Sequence, residues 1–165
     1  GVYGAARPWL PKVYAAAFDP YASFYVARQR DLALKVRRLR ALQRKLLTQV
    51  SQKHAQLAAL DEALDDALSL RTEELFSVIP KLLAGWFGKL AFEATGALPK
   101  RATSRDLEPW LSPGGWIVEF CSEMRELLLA ELEVRIRPVI GLVESLPADD
   151  AMSDDSVERK EVVRD

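Results

Sequence analysis

The chain has 165 residues, 49% of them apolar and 28% charged, with a formal net charge of −1. That is enough for one domain with a real core and is globular rather than disordered usage; it excludes a polycation, so any attraction to phosphate must come from local segregation of charge. The single cysteine, Cys121, excludes an internal disulfide framework and a multi-cysteine metal site, and no uninterrupted apolar run reaches the roughly 20 residues that span a bilayer.

In chain order, residues 1–18 read as an N-terminal arm with Gly1, Gly4, Pro8 and Pro11 and no core of its own. The arm lacks the apolar centre of a secretory signal, and its opening on glycine rather than methionine suits an excised segment. Asp19-Pro20 reads as a helix start, an N-cap acid followed by proline at the first helical position. From Tyr21 to Val50 there is neither Gly nor Pro. Leu32, Leu39 and Leu46 recur every seven residues, with Val36 and Val50 in the alternate seam positions and Gln29 and Gln43 in the same series. The spacing predicts a helix over about 20–50 with coiled-coil character, about 45 Å long.

A second helix is expected over about 54–96. Leu57, Leu60, Leu64, Leu68, Leu75, Val78, Leu82, Trp86 and Leu90 keep helical spacing, and Pro80 kinks or breaks it near Ile79. Within it, Leu75–Phe92 is the most apolar segment of the chain. An amphipathic segment of this kind packs against a core or a partner, or lies peripherally in a membrane interface. Trp86 and Phe87 are the candidate partner-binding anchor, since aromatics carry a disproportionate share of interface energy. Residues 95–115 read as a loop. A third helix is expected over 113–146, with Trp116, Phe120, Met124, Leu127, Leu128 and Leu132 inward and a kink at Pro138. Residues 147–165 are acidic and poor in large apolar groups, the usage of a disordered tail. The fold expected for 19–146 is therefore all-α: three long, kinked, antiparallel amphipathic helices.

Charge is segregated along this array. Tyr21–Lys53 carries nine basic residues and one acid, Asp61–Val78 six acids and one base, and Glu119–Glu144 six acids and three bases. Neighbouring helices of opposite sign suit cross-helix pairing, with Arg38, Arg40 and Lys45 in reach of Asp61 or Asp65. On a helical wheel centred on the Leu/Val seam, Arg30, Arg37 and Arg44 form a line on the opposite side. They are a candidate ridge for an acidic partner, or solvated surface. Arg71 lies within the apolar stripe of the second helix and Glu131 and Arg135 within that of the third, where paired charges would fix helix register.

No catalytic, metal-binding or cofactor-binding residue is assigned. His54, the lone histidine, sits at the turn between the first two helices, where capping is the usual role. Glu119, Glu123 and Glu126 lack the Glu-x-x-His companion of a di-iron bundle, and Cys121 has no activating base.

Four segments in order, FDPYASFYVARQR, LAALDEALDDAL, ELFSVIPKLLAGWF and LLLAELEVRIRPVIGLVESL, resemble a family of proteobacterial helical proteins defined only as a domain of unknown function. The resemblance spans Phe18 to Leu146. It implies genes beside a stator-like proton-channel subunit and an OmpA-like envelope protein, hence an accessory cytoplasmic part of an envelope complex. It supplies no catalytic residues. The function expected is a non-enzymatic helical adaptor with a protein partner, cytoplasmic or peripheral to the inner membrane, with homo-oligomerisation left open. The alternative is a nucleic-acid-associated protein using the basic first helix, which would bind in a salt-dependent manner.

Overall fold

Among the described residues five helices follow one another: α1 Lys12–Leu47, α2 Gln52–Ser77, α3 Ile79–Gly96, α4 Ser104–Leu111 and α5 Trp116–Glu144. The computed structural model describes residues 12–99 and 103–146, and every regular element among them is helical. α2 and α3 meet at Val78, which keeps right-handed helical angles (φ −78°, ψ −27°). Its carbonyl accepts from the amides of Lys81 and Leu82 at 3.1 and 3.2 Å. Pro80 falls in the first turn of α3, where its missing N–H has no intrahelical acceptor to lose. The two helices thus form one rod, and the fold is three long rods with α4 as a short brace.

Long-range contacts give the direction of each rod. Tyr14 meets Thr95 at one end of α1 and Arg40 meets Asp61 toward the other, so α1 and the α2–α3 rod are antiparallel. Tyr25 meets Glu131 and Leu47 clusters with Ala58 and Leu142. α5 therefore runs alongside α1 in the same direction and antiparallel to α2–α3.

The core has a wide aromatic end and a thin aliphatic end. Phe18, Tyr25, Leu83, Phe87, Ala91, Phe120 and Met124 are buried together. Phe87 lies edge-on to Phe120 and Trp116 at centroid distances of 5.2 and 5.3 Å, and Phe18 packs on Phe87 at 5.5 Å. Such ring pairs add to the stabilisation from buried area. At the other end only Leu47, Ala58 and Leu142, with Leu57 partly buried, close the hairpin.

Three boundaries differ from those the sequence predicts. α1 begins at Lys12, eight residues before the Asp19-Pro20 signal, and passes through Pro20. An interior proline costs about 3 kcal/mol. Burial of Phe18 and Tyr25 on either side of it, at roughly 1.5–3 kcal/mol per large side chain, outweighs that cost. Residues 12–18 thus belong to the bundle, while the rest of the expected arm, like residues 147–165, lies outside the described residues. The expected loop over 95–115 contains α4. Its signal is the capping box Thr103-x-x-Asp106, in which the Thr103 amide donates to the Asp106 carboxylate at 2.7 Å. Finally, α5 begins at Trp116 rather than near Pro113, because the chain turns first through Gly114 at φ +82° and then Gly115.

That turn brings backbones into close approach. A Cβ on Gly115 would collide with the carbonyl groups of Pro109 and Trp110. Gly85, by contrast, lies inside α3 with nothing within 4 Å of the same position. Thermal unfolding followed by circular dichroism should therefore separate the two glycines. Gly115→Ala should lower stability by about 2 kcal/mol or more, since backbone must move, whereas Gly85→Ala should raise it by up to about 1 kcal/mol on helix propensity. Equal effects would contradict the turn geometry.

Candidate partner-docking surface

Two polar networks fix how the rods are rotated, and hence which faces remain on the surface. The first joins α1 to α2. Arg40 donates to Asp61 Oδ1 and Oδ2 at 2.6 and 2.9 Å and to Asp65 Oδ1 at 2.6 Å. Arg44 donates to Asp61 Oδ2 and Asp65 Oδ2 at 2.6 and 2.7 Å. Two arginines one turn apart thus clasp two aspartates one turn apart, and an offset of one helical turn would leave only one arginine opposite an aspartate and unpair the others. Burial pushes the Asp61 carboxyl up, but the hydrogen bonds and charges of Arg40 and Arg44 outweigh it and hold the group below the usual aspartate range.

The second network lies midway along the bundle. Glu131, 2% exposed, accepts from the Tyr25 hydroxyl at 2.5 Å and from Gln29 Nε2 at 2.8 Å. Burial first, and then this hydrogen bond to Glu131, push the Tyr25 phenol far above its ordinary range. Arg135 lies 3.6 Å from Glu131 and donates to Glu73 at 2.9 Å. Its guanidinium also sits 4.3 Å from the centre of the Phe76 ring. Gln29 was placed in the seam of the first helix, but Tyr25, Glu73 and Phe76 were not singled out from the sequence, because nothing local marks a side chain on another helix as the neighbour of a buried ion pair.

The structure redistributes the candidate residues. Of the register charges, Glu131 and Arg135 are inward and joined, but Arg71 is exposed. Its place in the triad is taken by Glu73. Of the ridge, Arg30 and Arg37 are exposed, and both line a cleft of about 420 Å³ that also touches Gln29, Glu73, Phe76 and Arg135. Arg44 does not belong with them: its side chain is 15% exposed and bound to the two aspartates. Arg40 pairs as expected, whereas Arg38 and Lys45 remain exposed. Phe87 is buried in the aromatic core, and Trp86 packs against it, edge-on to Phe120 at 6.0 Å. This pair is therefore core rather than a docking anchor.

The same rotation turns leucines outward. The inward line of α1 is Phe18, Tyr25, Gln29, Val36, Arg40 and Leu47; it keeps Gln29 and Val36 of the predicted seam, but Leu39 and Leu46 are exposed, as are Leu42 and, beyond the helix, Val50. On the α2–α3 rod the inward line is Ala58, Asp61, Leu83, Phe87 and Ala91, leaving exposed a stripe from Leu60 through Leu68 and Leu75 to Leu82. Scattered surface leucines are ordinary, but continuous stripes of this kind mark surfaces that bind.

The remaining candidates have structural roles. His54 Nε2 donates to the Ser145 carbonyl at 3.0 Å, leaving Nδ1 to accept from the Ser51 hydroxyl at 2.7 Å. The histidine thus ties the end of α5 to the start of α2. Burial pushes the Cys121 thiol up, away from thiolate reactivity. Contrary to the expectation from uninterrupted apolar runs, the rod Gln52–Gly96 contains a window long and apolar enough to cross a membrane, with 22% of it buried inside the bundle.

The family model described as "Protein of unknown function (DUF3348)" covers residues 4–148, extending beyond the Phe18–Leu146 resemblance at both ends. No curated protein and no solved structure matches the chain.

Asp61→Ala should leave Arg40 and Arg44 half-paired at a largely buried site and lower the unfolding free energy by about 2–3 kcal/mol in urea titrations. Because the folded carboxyl titrates below its ordinary value of 3.8, its contribution is complete at neutral pH. It is lost as pH falls from that value through the lower folded-state one. The Asp61→Asn variant should show a shallower loss of stability over this acid window; an unchanged profile would separate Asp61 from acid unfolding.

Proposed function

The chain belongs to the DUF3348 family, and we propose that it acts as a non-catalytic helical adaptor whose first helix docks an amphipathic, acid-flanked helix of a partner protein. The observation that carries this reading is the outer face of α1. Leu39, Leu42 and Leu46 lie exposed on it at spacings of three and four, with Val50 exposed in the turn just beyond the helix, and they are bordered by the exposed cations Lys35, Arg38 and Lys45. The single acid of this region, Asp31, is neutralised by Lys35 at 2.9 Å. An apolar stripe with basic flanks is the complement of an apolar stripe with acidic flanks.

The non-catalytic part of the proposal draws on how the buried titratable groups are used. Asp61, Glu131 and Arg135 are each paired with neighbours on other helices, although Glu131 Oε2 and Arg135 Nε are buried without a hydrogen-bond partner. The wider setting proposed is the cytoplasmic side of a membrane-linked assembly, as the resemblance of the sequence implies, and the apolar window of the α2–α3 rod supports contact with such an assembly. For the nucleic-acid alternative, the ridge retains Arg30 and Arg37 but not Arg44.

Leu42→Glu combined with Leu46→Glu should leave helicity intact and change stability by no more than about 0.5 kcal/mol, as for surface sites generally. A stoichiometric partner recovered with the unmodified chain should be lost. Carbodiimide cross-links from Lys35 or Lys45 should run to Asp or Glu of that partner. Recovery of the same protein by both forms would overturn the assignment of α1 as the docking face.

A further inference from the structure

We infer that the chain forms a two-fold symmetric dimer by antiparallel pairing of the exposed apolar stripe on its α2–α3 rod with the same stripe of a second copy. This surface is separate from the α1 face discussed above. Three observations support a second copy as the occupant: the near-palindromic order of the stripe, its area, and the arrangement of its two charges.

The stripe is nearly a palindrome about Arg71. Leu60 and Leu82 stand eleven residues on either side of it, Leu64 and Val78 seven, and Leu68 and Leu75 three and four. Reversing the rod against itself about this centre sets Leu60 opposite Leu82 and Leu64 opposite Val78, with Leu68 one residue out of line with Leu75. An isologous two-fold interface requires a surface that is its own complement, whereas docking of a foreign helix places no such demand on the sequence. Because Val78 keeps helical angles, the stripe stays on one continuous rod for about 33 Å.

The area fits the task. The six apolar side chains are 47–69% exposed and together present on the order of 500–600 Å² of apolar surface, the size that marks a binding patch. Alanines at 63 and 67, both exposed beside the stripe, let the rods approach closely. With such flanking groups the buried surface reaches the roughly 800 Å² per partner of a stable complex.

Charge completes the match. Arg71 and Glu74 are both exposed, and neither is among the ion pairs of the described residues. Arg71 stands at the centre of the stripe. In the antiparallel pair, Glu74 of the second copy comes opposite Leu68, about 4.5 Å along the axis from Arg71 at 1.5 Å per residue and within reach of its long side chain. Symmetry makes two such pairs, which offset the approach of the two arginines and favour the antiparallel register.

Sedimentation and light scattering of the full chain at micromolar concentration should give twice the protomer mass of 18.5 kDa. Leu68→Glu with Leu75→Glu should reduce it to the monomer mass while far-ultraviolet circular dichroism stays unchanged. Arg71→Glu should weaken the dimer at least tenfold, and adding Glu74→Arg should restore it. In a Cys121→Ala background, mixing the Leu64→Cys chain with the Val78→Cys chain should give a mixed disulfide in preference to either homodisulfide. Leu42→Glu with Leu46→Glu should leave the dimer mass unchanged, so this inference stands or falls apart from the α1 docking face. A monomer mass for the unmodified chain at 100-fold higher concentration would overturn the inference. So would preferential self-cross-linking of Leu64→Cys, which signals parallel pairing. Loss of binding to anionic vesicles in the Leu68/Leu75 variant, with no change of mass, would assign the stripe to lipid instead.

Discussion

The rotational phase of α1 governs the rest of the molecule. This one helix packs along both other rods, and its phase is set at two places far apart. At the aromatic end, Phe18 and Tyr25 enter the cluster around Phe87 and Phe120. At the hairpin end, Arg40 and Arg44 clasp Asp61 and Asp65. Both sites lie on one line of a 3.6-residue helix, so satisfying either one places the other. The two cooperate instead of competing, as expected of a sequence whose levels agree.

Everything between the two sites follows from that line. Gln29 falls on it and reaches both the Phe76 carbonyl and Glu131, which turns a charge that is expensive to bury into the junction of three rods. Glu131 would be a heavy penalty alone in this setting. Shared among Tyr25, Gln29 and Arg135, it becomes directional, and directional groups specify register more sharply than leucines, which tolerate sliding. Most of the midsection is indeed held by polar contacts, with clefts beside Ala33, Arg37 and Glu73 where apolar packing is thin.

The same phase explains why so much apolar surface is left outside. A bundle with arginines and aspartates on its inner lines has fewer inner positions for leucine. The leucines of α1 and α2 then stand roughly a quarter to a third of a turn away, in stripes with their own regular spacing. Each stripe has a distinct electrostatic border, basic on α1 and carrying both signs around Arg71 and Glu74 on α2. Two such borders would keep the proposed partner contact and the proposed self-pairing distinct.

Helical class, the number of rods, an interruption just before Pro80 and the pairing of a basic first helix with an acidic second one were all legible in the sequence. They depend on spacing, on proline chemistry and on net charge, which are local properties. The capping box at Thr103 and Asp106 is local too, but the loop reading of 95–115, drawn from its prolines and glycines, passed over it. What local pattern could not supply was the phase of each helix. The leucines at 32, 39 and 46 make a better heptad than the inward line does, and they place Arg44 on the outside. Only the tertiary structure decides between two amphipathic lines on one helix, because the choice rests on which line finds partners. Phe18 and Tyr25 find an aromatic cluster contributed by residues some sixty to a hundred positions away, and Arg44 finds two carboxylates across the turn. Those gains outweigh the exposure of a few leucines, and they exist only once the three rods are side by side.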